Sequence, residues 1–171
     1  MENYNLIEKE WINILKGSDP DRINTTLHEI RNSGSVKVLP FLLQLINKNT
    51  DPQIRNEILI LLSELKSHEA VPLIAESLDK HDFGDYLPAV IAACWQSGLD
   101  FSKYLRVFAG FFIQADYRAA LEAFTVIEES VPGANDMDIT DCLRFFRDAE
   151  CMVTDEKLPL FRELMKVLGE S

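Results

Sequence analysis

Lysine and arginine are scarce in this chain. The 171 residues carry 17 of them against 28 aspartates and glutamates, for a net charge of −11. The deficit is even, with 9 basic and 14 acidic residues in 1–85, then 8 and 14 in 86–171. A phosphate backbone is bound chiefly through clustered cations, and no basic run occurs, so the composition argues against nucleic acid and against anionic membrane surfaces as partners. Glycine and proline are also few, seven of each. A protein of many short strands needs a turn residue about every 8–12 positions, so an all-β fold is disfavoured. No apolar run approaches the roughly 20 residues needed to span a bilayer. Met1-Glu2-Asn3-Tyr4-Asn5 has neither the positive start nor the apolar stretch of a secretory signal. The three cysteines, Cys94, Cys142 and Cys151, do not form a disulfide framework. The expected location is therefore the cytoplasm.

What the chain does contain is an internal repeat. A shift of 32 residues lays Asp19-Pro20 on Asp51-Pro52, Leu27 on Leu59, Ile30 on Leu62, and Val38-Leu39-Pro40 on Ala70-Val71-Pro72. Asp before Pro predicts a helix start: the carboxylate accepts an orphan backbone N–H, and proline at the first helical position has none to waste. Ile54, Ile58, Leu61, Leu62 and Leu65 then recur at helical spacing. Ser67 stands where it could cap a second helix. In the first copy Ser33-Gly34-Ser35 occupies the same place, with Gly34 suited to the left-handed position after a helix. The unit is helix, short turn, helix.

These residues carry a resemblance. Asp51-Pro52-x-Ile54-Arg55, an apolar helix, and Glu69-Ala70-Val71-Pro72-Leu73-Ile74 resemble a HEAT repeat. The likeness is clearest over 19–50 and 51–82 and degenerate over 85–113 and 116–150, with terminal helices at 4–16 and 154–168. It implies an all-α fold, an α-solenoid of stacked antiparallel helix pairs with about ten helices, in one domain spanning 1–171. Glu156-Lys157-Leu158-Pro159-Leu160-Phe161 repeats the second-helix pattern where strict alternation calls for a first helix, so either the register shifts or a helix is missing.

The chain holds no motif that carries chemistry. His28, His68 and His81 are not spaced as metal ligands. The cysteines sit beside apolar residues and read as small buried hydrophobes. Counted as an EF-hand loop from Asp136, the sixth position is Asp141 rather than glycine and the twelfth is Arg147 rather than glutamate. The acids there fit a helix start better. No cofactor, metal or reaction is expected.

Binding surfaces are suggested in two places. The resemblance implies that second helices line the inner side of the stack, where Phe41, Leu73 and Leu105 fall 32 residues apart, with Gln44, Glu76 and Phe108 in the adjoining row. Either these form an exposed apolar stripe for a protein partner or they pack between helices. Residues 128–156 also hold nine acids against two arginines; Glu128, Glu129, Asp136, Asp138 and Asp141 are the candidates for a patch facing a basic partner, with plain solvation as the alternative. The leading expectation is a monomeric, non-catalytic scaffold or adaptor for an unidentified protein. Two others stay open. Proteins resembling HEAT repeats include enzymes acting on DNA bases and aids to chromophore attachment, so an enzyme or enzyme accessory with an unrecognised cleft is one. A subunit that self-associates through an uncapped end is the other.

Overall fold

The computed structural model describes residues 4–47 and 49–169. Among them are ten α-helices and no strand, as expected for an α-solenoid. The chain divides into two compact units, Met1–Tyr86 and Leu87–Ser171.

The first unit holds α1 (Leu6–Leu15), α2 (Pro20–Ser33), α3 (Leu39–Gln44), α4 (Pro52–Ser63) and α5 (Ala70–Lys80). Both Asp-Pro starts form as the sequence predicts. The Asp19 carboxylate accepts from the N–H groups of Asp21 and Arg22 at 3.1 and 3.3 Å, and Asp51 accepts from Gln53 and Ile54 at 2.8 and 3.4 Å. Gly34 ends α2 at φ 67°, a conformation a side chain would strain. Helices α2 and α4 pack side by side, as do α3 and α5.

The buried set of α3, with Leu39, Leu42, Leu43 and then Ile46, recurs 32 residues on as Val71, Ile74, Ala75 and Leu78. Each of the leucine, isoleucine and valine side chains among them contributes about 1.5–3 kcal/mol by leaving water. Polar clamps add direction to this core. Trp11 Nε1 donates to Glu29 at 2.8 Å across α1 and α2, and Arg31 of α2 reaches Glu57 of α4 and Glu64 just after it at 3.6 and 3.2 Å. Arg55 donates to the carbonyls of Asn47 and Thr50, both at 2.9 Å, and stacks on Tyr86 at 4.0 Å.

The caps expected from Ser35 and Ser67 do not form. Helices α3 and α5 begin after Val38 and Glu69 with no side-chain cap. Their first turns close through backbone instead: Leu39 N–H donates to the Val36 carbonyl, and Ala70 N–H to that of Ser67, both at 3.0 Å. The Ser35 hydroxyl points elsewhere, donating at 2.9 Å to the buried carboxylate of Glu8. That carboxylate and Asn5 cap each other's backbone N–H at 2.8 Å. The Asn5 N–H bond holds the Glu8 carboxyl below the usual carboxylate range against the opposing effect of burial.

The second unit holds α6 (Leu87–Ser97), α7 (Leu105–Gln114), α8 (Tyr117–Ser130), α9 (Asp136–Ala149) and α10 (Leu158–Val167). Helix α8 packs on α6 and α7, and α9 on α7. Helix α10 packs on α8, which answers the register question: despite its second-helix sequence, it takes the first-helix place and alternation holds. Phe112, Phe146 and Phe161 meet between α7, α9 and α10 at centroid distances of 5.7, 5.9 and 6.5 Å. Beside them lies Lys157, only 4% exposed. Its ammonium donates to the carbonyls of Phe112, Ile113 and Ala115 at 3.0, 3.0 and 2.5 Å, closing the C-terminal end of α7.

Candidate interaction surfaces

The second-helix row survives only in the first unit. Phe41 on α3 and Leu73 on α5 are half-buried, while Gln44 and Glu76 beside them are exposed. Phe41 is partly covered: the Tyr4 ring meets it edge-on at 6.2 Å and Lys16 Nζ sits 5.1 Å from its centre. On α5, Glu76 pairs with Lys80 one turn on, at 3.0 Å.

Leu105 and Phe108 do not continue that exposed row. They are 1% and 0% exposed, and Phe108 packs edge-on against Phe101 at 5.5 Å. The reason is a register change. The buried set Val71, Ile74, Ala75 and Leu78 reappears in α7 as Leu105, Phe108, Ala109 and Phe112, 34 residues on rather than 32. Two extra residues turn a helix by about 200°, which brings the extrapolated row into the core.

The acidic segment separates into two kinds of carboxylate. Asp136 and Asp138 lie in the first turn of α9, where negative charge is favoured, and Asn135 caps that helix by accepting from Asp138 N–H at 2.9 Å. Asp141 is held by Arg144 one turn on. The helix-start reading holds for Asp136 and Asp138, and Asp141 lies beyond the first turn. Glu128 and Glu129 differ. They are exposed in the last turn of α8, which carries no basic residue, and face the negative end of the helix. Charges so placed oppose local stability by about 0.3–1 kcal/mol each.

The sequence pattern of HEAT repeats matches residues 8–93, half of the chain, from within α1 to within α6. The chain belongs to the HEAT-repeat family. Such repeats generally mediate protein–protein interactions and are typically non-catalytic scaffolds. No curated protein matches this HEAT-repeat chain.

Among the described residues no three His, Cys, Asp or Glu groups stand together as a metal site, and no helix is long and apolar enough to cross a membrane. His28 and His68 are exposed, and His81 lies edge-on to Phe83 at 6.3 Å. Cys94 and Cys142 are buried as expected, but Cys151 is exposed, because it falls in the 3-10 turn Glu150–Met152 rather than on a core-facing helix position. Burial pushes the Cys94 thiol far up and that of Cys142 up to about 12, Arg106 opposing and Asp141 assisting in the latter. Since the thiolate is the reactive form, a disulfide reagent near neutral pH is expected to modify Cys151 quickly and the other two only on unfolding. A Cys151→Ser variant should lose the fast phase; fast modification of two thiols in the native protein would contradict the packing of α6 or α9.

Sequence reasoning missed Lys157. A signal existed: aligned on Leu-Pro, Lys157 takes the place of Ala70, a core position of the repeat. It also missed the bare apolar residues of α1, Leu6 and Ile7, which are 85% and 58% exposed.

Proposed function

We propose that this chain is a non-catalytic scaffold that holds a segment of another protein against the α3–α5 face of its first unit. The observation that carries the reading is the pair Phe41 and Leu73. They occupy equivalent places 32 residues apart and stay half-buried beside the exposed Gln44 and Glu76, while Leu42 and Ile74, the residues that follow them, are buried. An apolar rung with a polar neighbour suits a partner segment that lays down one apolar side chain per repeat, anchored by a few residues. A second reading places the contact at Glu128 and Glu129. Their position at the wrong end of α8 costs stability without a local return, which fits selection for a basic partner.

Cross-linked capture with wild type, Leu73→Glu and Glu128→Lys/Glu129→Lys separates the readings. Leu73→Glu is expected to keep the stability within about 1 kcal/mol, since the side chain is already half-solvated, while weakening partner capture at least about tenfold. Loss only with the charge reversal moves the contact to the end of α8. Equal capture by all three proteins sinks both.

A further inference from the structure

We propose that the pocket between Trp95, Asp100 and Glu129 receives the guanidinium of an arginine on a partner protein. The inference rests on the reading of Glu129 as a contact for a basic partner and gives that contact a receptor. The pocket lies wholly within the second unit, where the turn after α6 meets the C-terminal end of α8. It encloses about 180 Å³, with the buried Phe101 and Val126 among its walls. A helix about 10–12 Å across does not enter such a space, whereas the planar end of one long side chain does.

Three features of the pocket call for a cation. Its charged residues are both acids, and no basic residue lines it. Asp100 is fixed in place: it accepts from Ser102 N–H at 2.8 Å, and both its carboxylate oxygens lie 3.3 Å from where a Cβ on Gly133 would stand. The Glu129 carboxylate has neither a hydrogen bond nor an ion pair among the described residues. The second feature is the end of α8 itself, whose last carbonyls carry the negative pole of the helix. The third is Ser130. This residue is only 5% exposed, yet its hydroxyl makes no hydrogen bond among the described residues. It is not one of the partnerless polar atoms sealed from solvent, so its oxygen opens into the pocket that it lines. A polar group so enclosed is destabilising until it is bonded, and an entering N–H donor supplies the bond.

Arginine suits this set better than lysine. Trp95 lines the same pocket, and its Nε1 is already committed to Glu122 at 2.8 Å. The indole therefore offers a visitor its ring rather than its N–H, and a guanidinium stacks on such a ring. The N–H groups of a guanidinium fan out in one plane and serve the Ser130 hydroxyl and a carboxylate together. An ammonium is more compact and gives up its water less readily.

Titration with a blocked peptide, Gly-Gly-Arg-Gly-Gly, tests this by NMR through the backbone amides of Gly98 and Gly133 and the indole N–H of Trp95. Saturable shifts centred on these signals are expected at millimolar peptide. Lysine at the central position should bind at least about threefold more weakly, and citrulline, the uncharged isostere, should produce no saturable shift. Glu129→Gln is expected to weaken binding at least about threefold and Ser130→Ala about two- to tenfold. Circular dichroism melts establish that both variants fold. Glu129→Gln should also weaken binding more than Glu128→Gln does, since only Glu129 lines the pocket. Equal weakening by those two variants, with Ser130→Ala silent, overturns the pocket and leaves the basic-partner reading standing. Equal binding of the lysine peptide overturns the choice of arginine. Wild type that shows no saturable shift, or that binds the citrulline peptide equally, overturns the proposal outright. Whether the basic-partner reading then falls with it is decided by the capture experiment with Glu128→Lys/Glu129→Lys.

Discussion

Replacing Lys157 with methionine is expected to destabilise the second unit by about 2–4 kcal/mol, even though methionine fills most of the space. The loss does not come from the lysine alone. Three carbonyls at the end of α7, those of Phe112, Ile113 and Ala115, would keep their burial and lose their donor. Breaking one side of a buried polar contact costs the desolvation of what remains, whereas removing both sides can be neutral. The backbone cannot be removed, so the penalty stands. The ammonium also lies at the negative end of the α7 dipole, which adds to the attraction.

The pH dependence of that difference has a definite sign. Burial lowers the Lys157 pKa below its ordinary 10.5, against the opposing pull of Asp116 and Glu156. Between the folded and unfolded values the unfolded chain binds more protons at this site, so its contribution to stability rises with pH. The gap between wild type and Lys157→Met should therefore widen as pH climbs through the folded pKa toward 10.5. Urea titrations at two alkaline pH values, compared with one near neutrality, read this directly. A gap that narrows instead would mean that the carbonyl bonds outweigh desolvation and hold the proton on.

What could be read from the sequence was whatever is local or repeats in register. Asp19-Pro20 and Asp51-Pro52 announce helix starts because cap, proline and first turn lie within four residues. The core of α3 predicts that of α5 because no insertion separates them. The row through Leu105 and Phe108 failed for a quantitative reason: a repeat lengthened by two residues keeps its hydrophobic pattern and changes the face that each extrapolated position presents. The exposure of Cys151 and the burial of Lys157 depend on the 3-10 turn Glu150–Met152 and on the approach of α10 to the end of α7, 42–45 residues away along the chain. No local pattern encodes such a meeting. The acids of 128–156 looked alike as letters and divide only when helix ends are located, Asp136 and Asp138 at a favourable terminus, Glu128 and Glu129 at an unfavourable one.

Phe146→Ala is expected to be the most damaging single truncation in the second unit, at about 3–5 kcal/mol. The ring is fully buried and contacts Phe112, Phe145 and Phe161, two of them edge-on. Its neighbours come from three elements, α7, α9 and α10, so no single helix can shift to fill the space without leaving another. That geometry puts the cost in the upper part of the range, where cavities persist. A double-mutant cycle with Phe161→Ala isolates the edge-on pair at 5.9 Å and should return about 0.5–1.5 kcal/mol of coupling beyond the two truncations. Trp95, which bonds Glu122 between α6 and α8, reports the transition in a Trp11→Phe background. Because 1.4 kcal/mol is about a factor of ten, the truncation raises the unfolded fraction by roughly 100-fold to 5000-fold, a large part of what a domain this size can lose and remain folded. A shift below about 1.5 kcal/mol would mean that α10 relaxes onto α9 and that the aromatic cluster is not what fixes the end of the stack.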